Sequence, residues 1–150
     1  MFDAKTGLFA NRILWASALA WIIAQVLKVF TSLYADKRLD WSKLVGAGGM
    51  PSSHTALVTS LAVGVGIREG WNSTMFALAV GFALVVMYDA AGVRRAAGKQ
   101  ARVLNQIMEA MAHSGHIPTT KLRELLGHTP TEVVAGAILG AAMAALLVKP

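Results

Sequence analysis

Cysteine is absent from the 150 residues, so neither a disulfide framework nor a thiolate metal site can form, and the redox compartment leaves no mark on the sequence. Charge is scarce too: Asp, Glu, Lys and Arg together make up 15%, against 55% hydrophobic residues, a balance unlike that of most water-soluble domains. No soluble nucleic-acid-binding motif accompanies the net charge of +6. The basic residues stand instead between apolar segments, where anionic lipid headgroups would meet them, and nucleic acid is not expected as a partner. Near Asp3, Lys5 and Arg12 no small-residue cleavage site follows a short apolar core, so the N-terminus reads as retained. There is no internal repeat and no low-complexity linker, and residues 1–150 read as a single membrane-embedded domain.

What the sequence does have is long apolar runs. A membrane span needs roughly 20 mostly apolar residues, and four stretches approach that length: about 8 to 34, 52 to 70, 73 to 91 and 129 to 148. The second is short, contains Gly64 and Gly66 and closes on Arg68 and Glu69, as expected of a partial or tilted span that leans on its neighbours. In the fourth, Gly136 and Gly140 have the small-x-x-x-small spacing that lets helices approach closely, within one chain or in a homo-oligomer. Between the third and fourth, Ala101, Leu104, Ile107, Met108 and Met111 recur at three- and four-residue intervals and predict an amphipathic helix on the membrane surface. It should end near His113 to Pro118, with a short helix from Thr119 to Leu126. His113 and His116 read as surface residues, since no nearby carboxylate completes a metal site. The fold class is therefore all-α, an integral membrane bundle of about four transmembrane helices plus an amphipathic interfacial helix.

Lys and Arg in short connections set orientation. Lys37, Arg38, Lys43, Arg94, Arg95, Lys99, Arg102, Lys121 and Arg123 lie in the first and third connections, nine against the four of Lys5, Arg12, Arg68 and Lys149 on the other side. Both polar connections should then face the cytoplasm across the cell (inner) membrane, and both termini the outside. On that topology Lys28 ends the first span, His54 begins the second, Asp89 ends the third, and His128 with Glu132 begins the fourth. A lysine at such a helix end can also snorkel to the headgroups. A lone His or Arg near a helix end is usually a solvated interfacial residue. Four helix ends bringing lysine, histidines, carboxylates and arginines to one depth have instead the composition of an anion site with acid/base groups.

The motifs support that reading. In Gly48-Gly49-Met50-Pro51-Ser52-Ser53-His54 two glycines free the backbone, Pro51 suits a first helical turn, and two hydroxyls stand beside unpaired helix N-terminal amides, where a phosphate fits. His128 and Glu132 are four apart, so the carboxylate can hold one imidazole tautomer and leave the other nitrogen as nucleophile or base; an ordinary surface pair would have the same spacing. In Tyr88-Asp89-Ala-Ala-Gly92-Val-Arg94-Arg95 the arginine forks can take phosphate oxygens while Asp89 orients them or a histidine.

These residues resemble the divergent branch of the type-2 phosphatidic acid phosphatase superfamily, over most of the chain. Pro51-Ser52-Ser53-His54 is similar to the superfamily's Pro-Ser-Gly-His motif, with Ser53 for glycine, and the pairing of Gly-Gly-Met-Pro-Ser-Ser-His with Tyr-Asp-Ala-Ala-Gly-Val-Arg-Arg resembles the divergent branch specifically. His128 and Glu132 resemble the third motif, an arginine followed by His-x-x-x-Asp, but with Glu for Asp and with Arg123 five residues before the histidine instead of six. Lys28 stands where the first motif has its lysine, without the Arg-Pro that normally follows; Lys37 and Arg38 are looser candidates. The resemblance implies a phosphoric monoester hydrolase that needs no metal or other cofactor. His128 would form a phosphohistidine, Glu132 would orient it and His54 would protonate the leaving oxygen, while Lys28, Ser52, Ser53, Arg94, Arg95 and Arg123 would hold the phosphoryl group. Asp89, Gly48 and Gly49 would be supporting residues. The implied substrate is a membrane phospholipid or polyprenyl phosphate, phosphatidylglycerophosphate first. The competing readings are a phospholipid-headgroup binder or transporter that does not turn over, and a purely structural bundle.

Overall fold

The computed structural model describes residues 7–37, 48–112, 122 and 127–150, and the described residues are helical with no strand. A short 3-10 turn, Leu8–Ala10, leads into α1 (Arg12–Asp36), whose start is capped by the Asn11 side chain accepting from the amides of Ile13 and Leu14. After it come α2 (Ser53–Glu69), α3 (Thr74–Tyr88), a π turn (Asp89–Val93), α4 (Arg94–Ala112) and α5 (Pro130–Leu147). Among the described residues, three helices are long and apolar enough to cross a membrane: Arg12–Tyr34, the continuous Thr74–Ala112 and Pro130–Leu147. The protein is thus an all-α membrane bundle.

The short α2 is the axis of the bundle, packed against α1, α3 and α5. Its 17 residues rise about 25 Å at 1.5 Å each, less than the roughly 30 Å of a hydrocarbon core. The three enclosing helices make that shortfall tolerable, because α2 buries Ser53, Thr55, Ala56, Val58, Ser60, Ala62, Gly64 and Gly66 against them. Small side chains set the spacing. Ala20, Ala24 and Ala56 meet where α1, α2 and α5 touch, and Val58, Ala62 and Ala83 join α2 to α3. Since lipid tails are as apolar as leucine, helix association here rests on such close backbone approach more than on hydrophobic exclusion. The large side chains Met75, Leu78, Phe82, Leu84, Val85, Val134, Ile138 and Leu146 face outward, as lipid contact requires.

Three local expectations need correction. The third span does not stop near 91: the chain runs on as one helix of 39 residues, because Ala90, Ala91, Ala96 and Ala97 favour helix and no proline or cap interrupts them, and the junction is a single widened turn. Pro51 is not in the first turn of α2 but precedes its N-cap, Ser52, and is joined to Met50 by a cis peptide; the proline in a first helical turn is Pro130 of α5. Lys28 does not snorkel outward. It is 1% exposed and turned into the bundle, where polar partners await its ammonium group. The expected helix Thr119–Leu126, together with Arg38, Lys43, His113, His116, Lys121 and Arg123, lies outside the described residues, except for Leu122.

Candidate active site

Three hydrogen bonds between elements bring the polar helix ends together. The Ser52 amide donates to the Glu132 carbonyl at 2.9 Å, joining the starts of α2 and α5; the His128 amide donates to the Ala90 carbonyl at 2.8 Å; and Lys28 Nζ donates to Ser53 Oγ at 2.9 Å. Lys28, Ser52, Ser53 and His128 are each at most 2% exposed. Buried groups of this kind need partners, and most have them. Lys28 Nζ also donates to Gln25 Oε1 at 2.7 Å, while Ser52 Oγ caps α2 by accepting from the Thr55 amide and hydroxyl. Gly48 and Gly49, both at positive φ, lead the chain past the Lys28 stem into this corner.

At the start of α5 one carboxylate serves two ends. Thr129 and Glu132 form a capping box, with Glu132 Oε2 accepting from the Thr129 amide, and the same oxygen meets His128 Nδ1 at 2.8 Å. An ionised carboxylate can only accept, so Nδ1 carries the proton and Nε2 presents its lone pair. Nε2 is buried and makes no hydrogen bond among the described residues. The His54 ring stands 6.2 Å from the His128 ring, centre to centre, close enough for one phosphoryl group to touch both. Burial lowers the pKa of His128, the hydrogen bond to Glu132 and its negative charge raise it, and the positive charges of Lys28 and Arg94 lower it again; the balance lies below the usual imidazole value, so the ring is neutral at pH 7.

The arginines divide. Arg94 lies within electrostatic reach of both imidazoles and is paired with Asp89, its Nε donating to Oδ2 at 2.7 Å on the half-exposed rim. Arg95 is exposed on the first turn of α4, as is Lys37 at the end of α1. Sequence reasoning overlooked Gln25, the Ala90 carbonyl and Gly127. Gln25 was within reach, since it lies three residues before Lys28 on one helical face of an otherwise apolar stretch. The other two are backbone contributions with no side-chain signature.

A helical membrane protein with a histidine, its carboxylate and an ammonium group gathered at one mouth of the bundle is the class that fold and site define. The family model described as the Divergent PAP2 family matches residues 9–143, and the chain belongs to that family. It is also 42% identical over 144 residues to the uncharacterized membrane protein YuiD of Bacillus subtilis (strain 168), a match covering 89% of this chain and 91% of the relative. No solved structure matches.

Proposed function

We propose that the protein is a membrane lipid phosphatase that removes the terminal phosphate of a phospholipid or polyprenyl lipid at the cytoplasmic leaflet, phosphatidylglycerophosphate first. The observation that carries this reading is His128: a buried imidazole, its Nδ1 held by Glu132, its Nε2 making no hydrogen bond among the described residues, with the His54 ring beside it and the charge of Lys28 in reach. Nε2 attacks phosphorus, the bond from phosphorus to the lipid oxygen breaks, and His54 passes its proton to that oxygen. Water then cleaves the phosphorus–nitrogen bond, giving up a proton to His54 and releasing inorganic phosphate. Lys28, Ser52, Ser53 and Arg94 supply donors to the phosphoryl oxygens where charge accumulates. The excess of basic residues on the connections nearest the site supports the cytoplasmic leaflet.

Phosphate release from phosphatidylglycerophosphate, phosphatidate and polyprenyl diphosphate, compared between inverted and right-side-out vesicles, tests activity and sidedness together. Inverted vesicles are expected to be active and sealed right-side-out vesicles silent. Lipid binding without phosphate release in either preparation would favour the headgroup-binding reading, to which the commitment of Arg94 to Asp89 lends some weight.

The acidity of His128 sets the pH response. Attack needs neutral Nε2, and a pKa held below 6.5 keeps it neutral further into acid than an exposed histidine, so the acid limb of kcat/KM is expected below pH 6.5. Glu132→Gln removes the influence that raises this pKa, and should slow turnover while moving the limb to lower pH. A limb at or above 6.5, or an upward shift in the variant, contradicts the assignment.

A further inference from the structure

The helix from Thr74 to Ala112 changes pitch once, at Asp89–Val93. There the Arg94 amide donates to the Asp89 carbonyl five residues back, where an ordinary helix would direct it to Ala90. The same two residues are joined again through their side chains, Arg94 Nε to Asp89 Oδ2. Partners on a regular helix stand three or four apart, so this five-residue pairing belongs to the widened turn. The carbonyl of Ala90, a residue 3% exposed, is relieved of its usual donor and accepts instead from the His128 amide. One residue earlier, Gly127 at φ +89 lies directly on the next turn, where an added Cβ would stand 2.5 Å from the Arg95 nitrogen and 2.8 Å from its Cα. The segment that presents the imidazole therefore rests on backbone atoms of the π turn and of the first turn of α4.

We infer that Asp89 is a positioning residue: by clamping the π turn through Arg94 it fixes the Ala90 carbonyl on which His128 rests, and it keeps the Arg94 guanidinium at the mouth of the histidine site. Asp89 acts through Arg94 and the π turn, and its charge also reaches the His54 ring. The kinetic consequence rests on the phosphatase reading above; the structural consequence does not. A pair on the protein rim is a weak source of stability, so its loss should leave the bundle folded and show in placement. Displacement of a reacting group by about 1 Å costs up to roughly 100-fold in rate.

The test uses the full chain in lipid nanodiscs as wild type, Asp89→Asn, Asp89→Glu, Arg94→Ala, the Asp89→Asn/Arg94→Ala double variant, and Glu69→Gln at the far end of α2 as control. Asp89→Asn is expected to lower kcat by on the order of 10- to 100-fold with a much smaller change in KM and an unaltered melting temperature. Asp89→Glu, which keeps the charge, should recover part of the loss, and the double variant should be no worse than Arg94→Ala alone. In a second arm, nitrogen-15 spectra of labelled histidines, with His128 assigned by its disappearance in His128→Gln, should show the His128 ring signals shifted in Asp89→Asn and unmoved in the control. Wild-type kcat in Asp89→Asn overturns the inference. Should the wild type release no phosphate from any lipid, the enzyme reading fails by itself and the spectra decide: unshifted His128 signals in Asp89→Asn then overturn the positioning role, and shifted signals sustain it.

Discussion

His128→Ala is expected to abolish phosphate release and phosphohistidine formation while leaving lipid binding within a few-fold of wild type. The two outcomes separate because, in the proposed mechanism, the imidazole and the anion-holding groups are different residues. Removing the nucleophile closes the covalent route, and loss of such a group commonly costs 10³-fold or more. Lys28, Ser52, Ser53 and Arg94 keep their places, since the bonds of Lys28 to Gln25 and Ser53, of Ser52 to Thr55 and of Arg94 to Asp89 do not involve the imidazole. The Glu132 carboxylate also keeps its bond to the Thr129 amide, so the start of α5 stays capped. The measurement is alkaline detergent-quench labelling with phosphorus-32 substrate, which preserves the acid-labile phosphorus–nitrogen bond, run beside a lipid-binding assay. Turnover near the wild-type rate would mean that another group attacks phosphorus.

The second large effect is on the fold. Gly140→Leu should prevent assembly of the bundle, because even a Cβ at that position would collide with the Ala56 carbonyl and would lie 2.9 Å from the Ser60 amide on α2. Backbone cannot step aside as a flexible side chain can, and overpacking on this scale belongs among the exceptional losses of more than about 4 kcal/mol. Gly136→Leu meets the Ser52 carbonyl in the same way and would displace the N-cap of α2 as well. Gly81 is the internal comparison, a helical glycine whose added Cβ would meet nothing within 4 Å. Gly81→Leu should be neutral or stabilising by up to about 1 kcal/mol, since glycine is the poorer helix former. Thermal denaturation followed by size-exclusion chromatography distinguishes the three variants, and equal behaviour of Gly140→Leu and Gly81→Leu would show that the α2–α5 contact does not govern assembly.

Why some of this was legible in the sequence and some was not follows from what each feature leaves in the residue types. The spans announce themselves by composition, but the caps that fix their starts, Asn11, Ser52, Ser73 and Thr129, are established by the structure. The glutamate that replaces the superfamily's aspartate at 132 looks like a defect in a motif. In space it is the fourth member of Thr-Pro-Thr-Glu, where a capping box calls for the longer acid, and one oxygen reaches both the cap and the imidazole. The inward turn of Lys28 could have been argued from Gln25 on the same face, but position near a helix end pointed to the headgroups. The π turn was out of reach: Asp-Ala-Ala-Gly-Val carries no proline, a single glycine does not specify a widened turn, and a five-residue hydrogen bond leaves no trace in composition. The carbonyl it hands to His128 was invisible for the same reason.

The shortness and enclosure of α2 also bear on how the chain enters a membrane. A segment holding His54, Thr55, Thr59, Ser60, Gly64 and Gly66 gains little by leaving water for lipid alone, because every polar group and missing side chain subtracts from its partition free energy. The helices before and after it are long and apolar enough to cross a membrane. Biogenesis is then a matter of order: the first and third helices supply the drive into the bilayer, and the second is drawn in between them as the middle of a hairpin. Its polar starting turn meets the start of the last helix, through the Ser52 amide and the Glu132 carbonyl, only once that helix has closed over it.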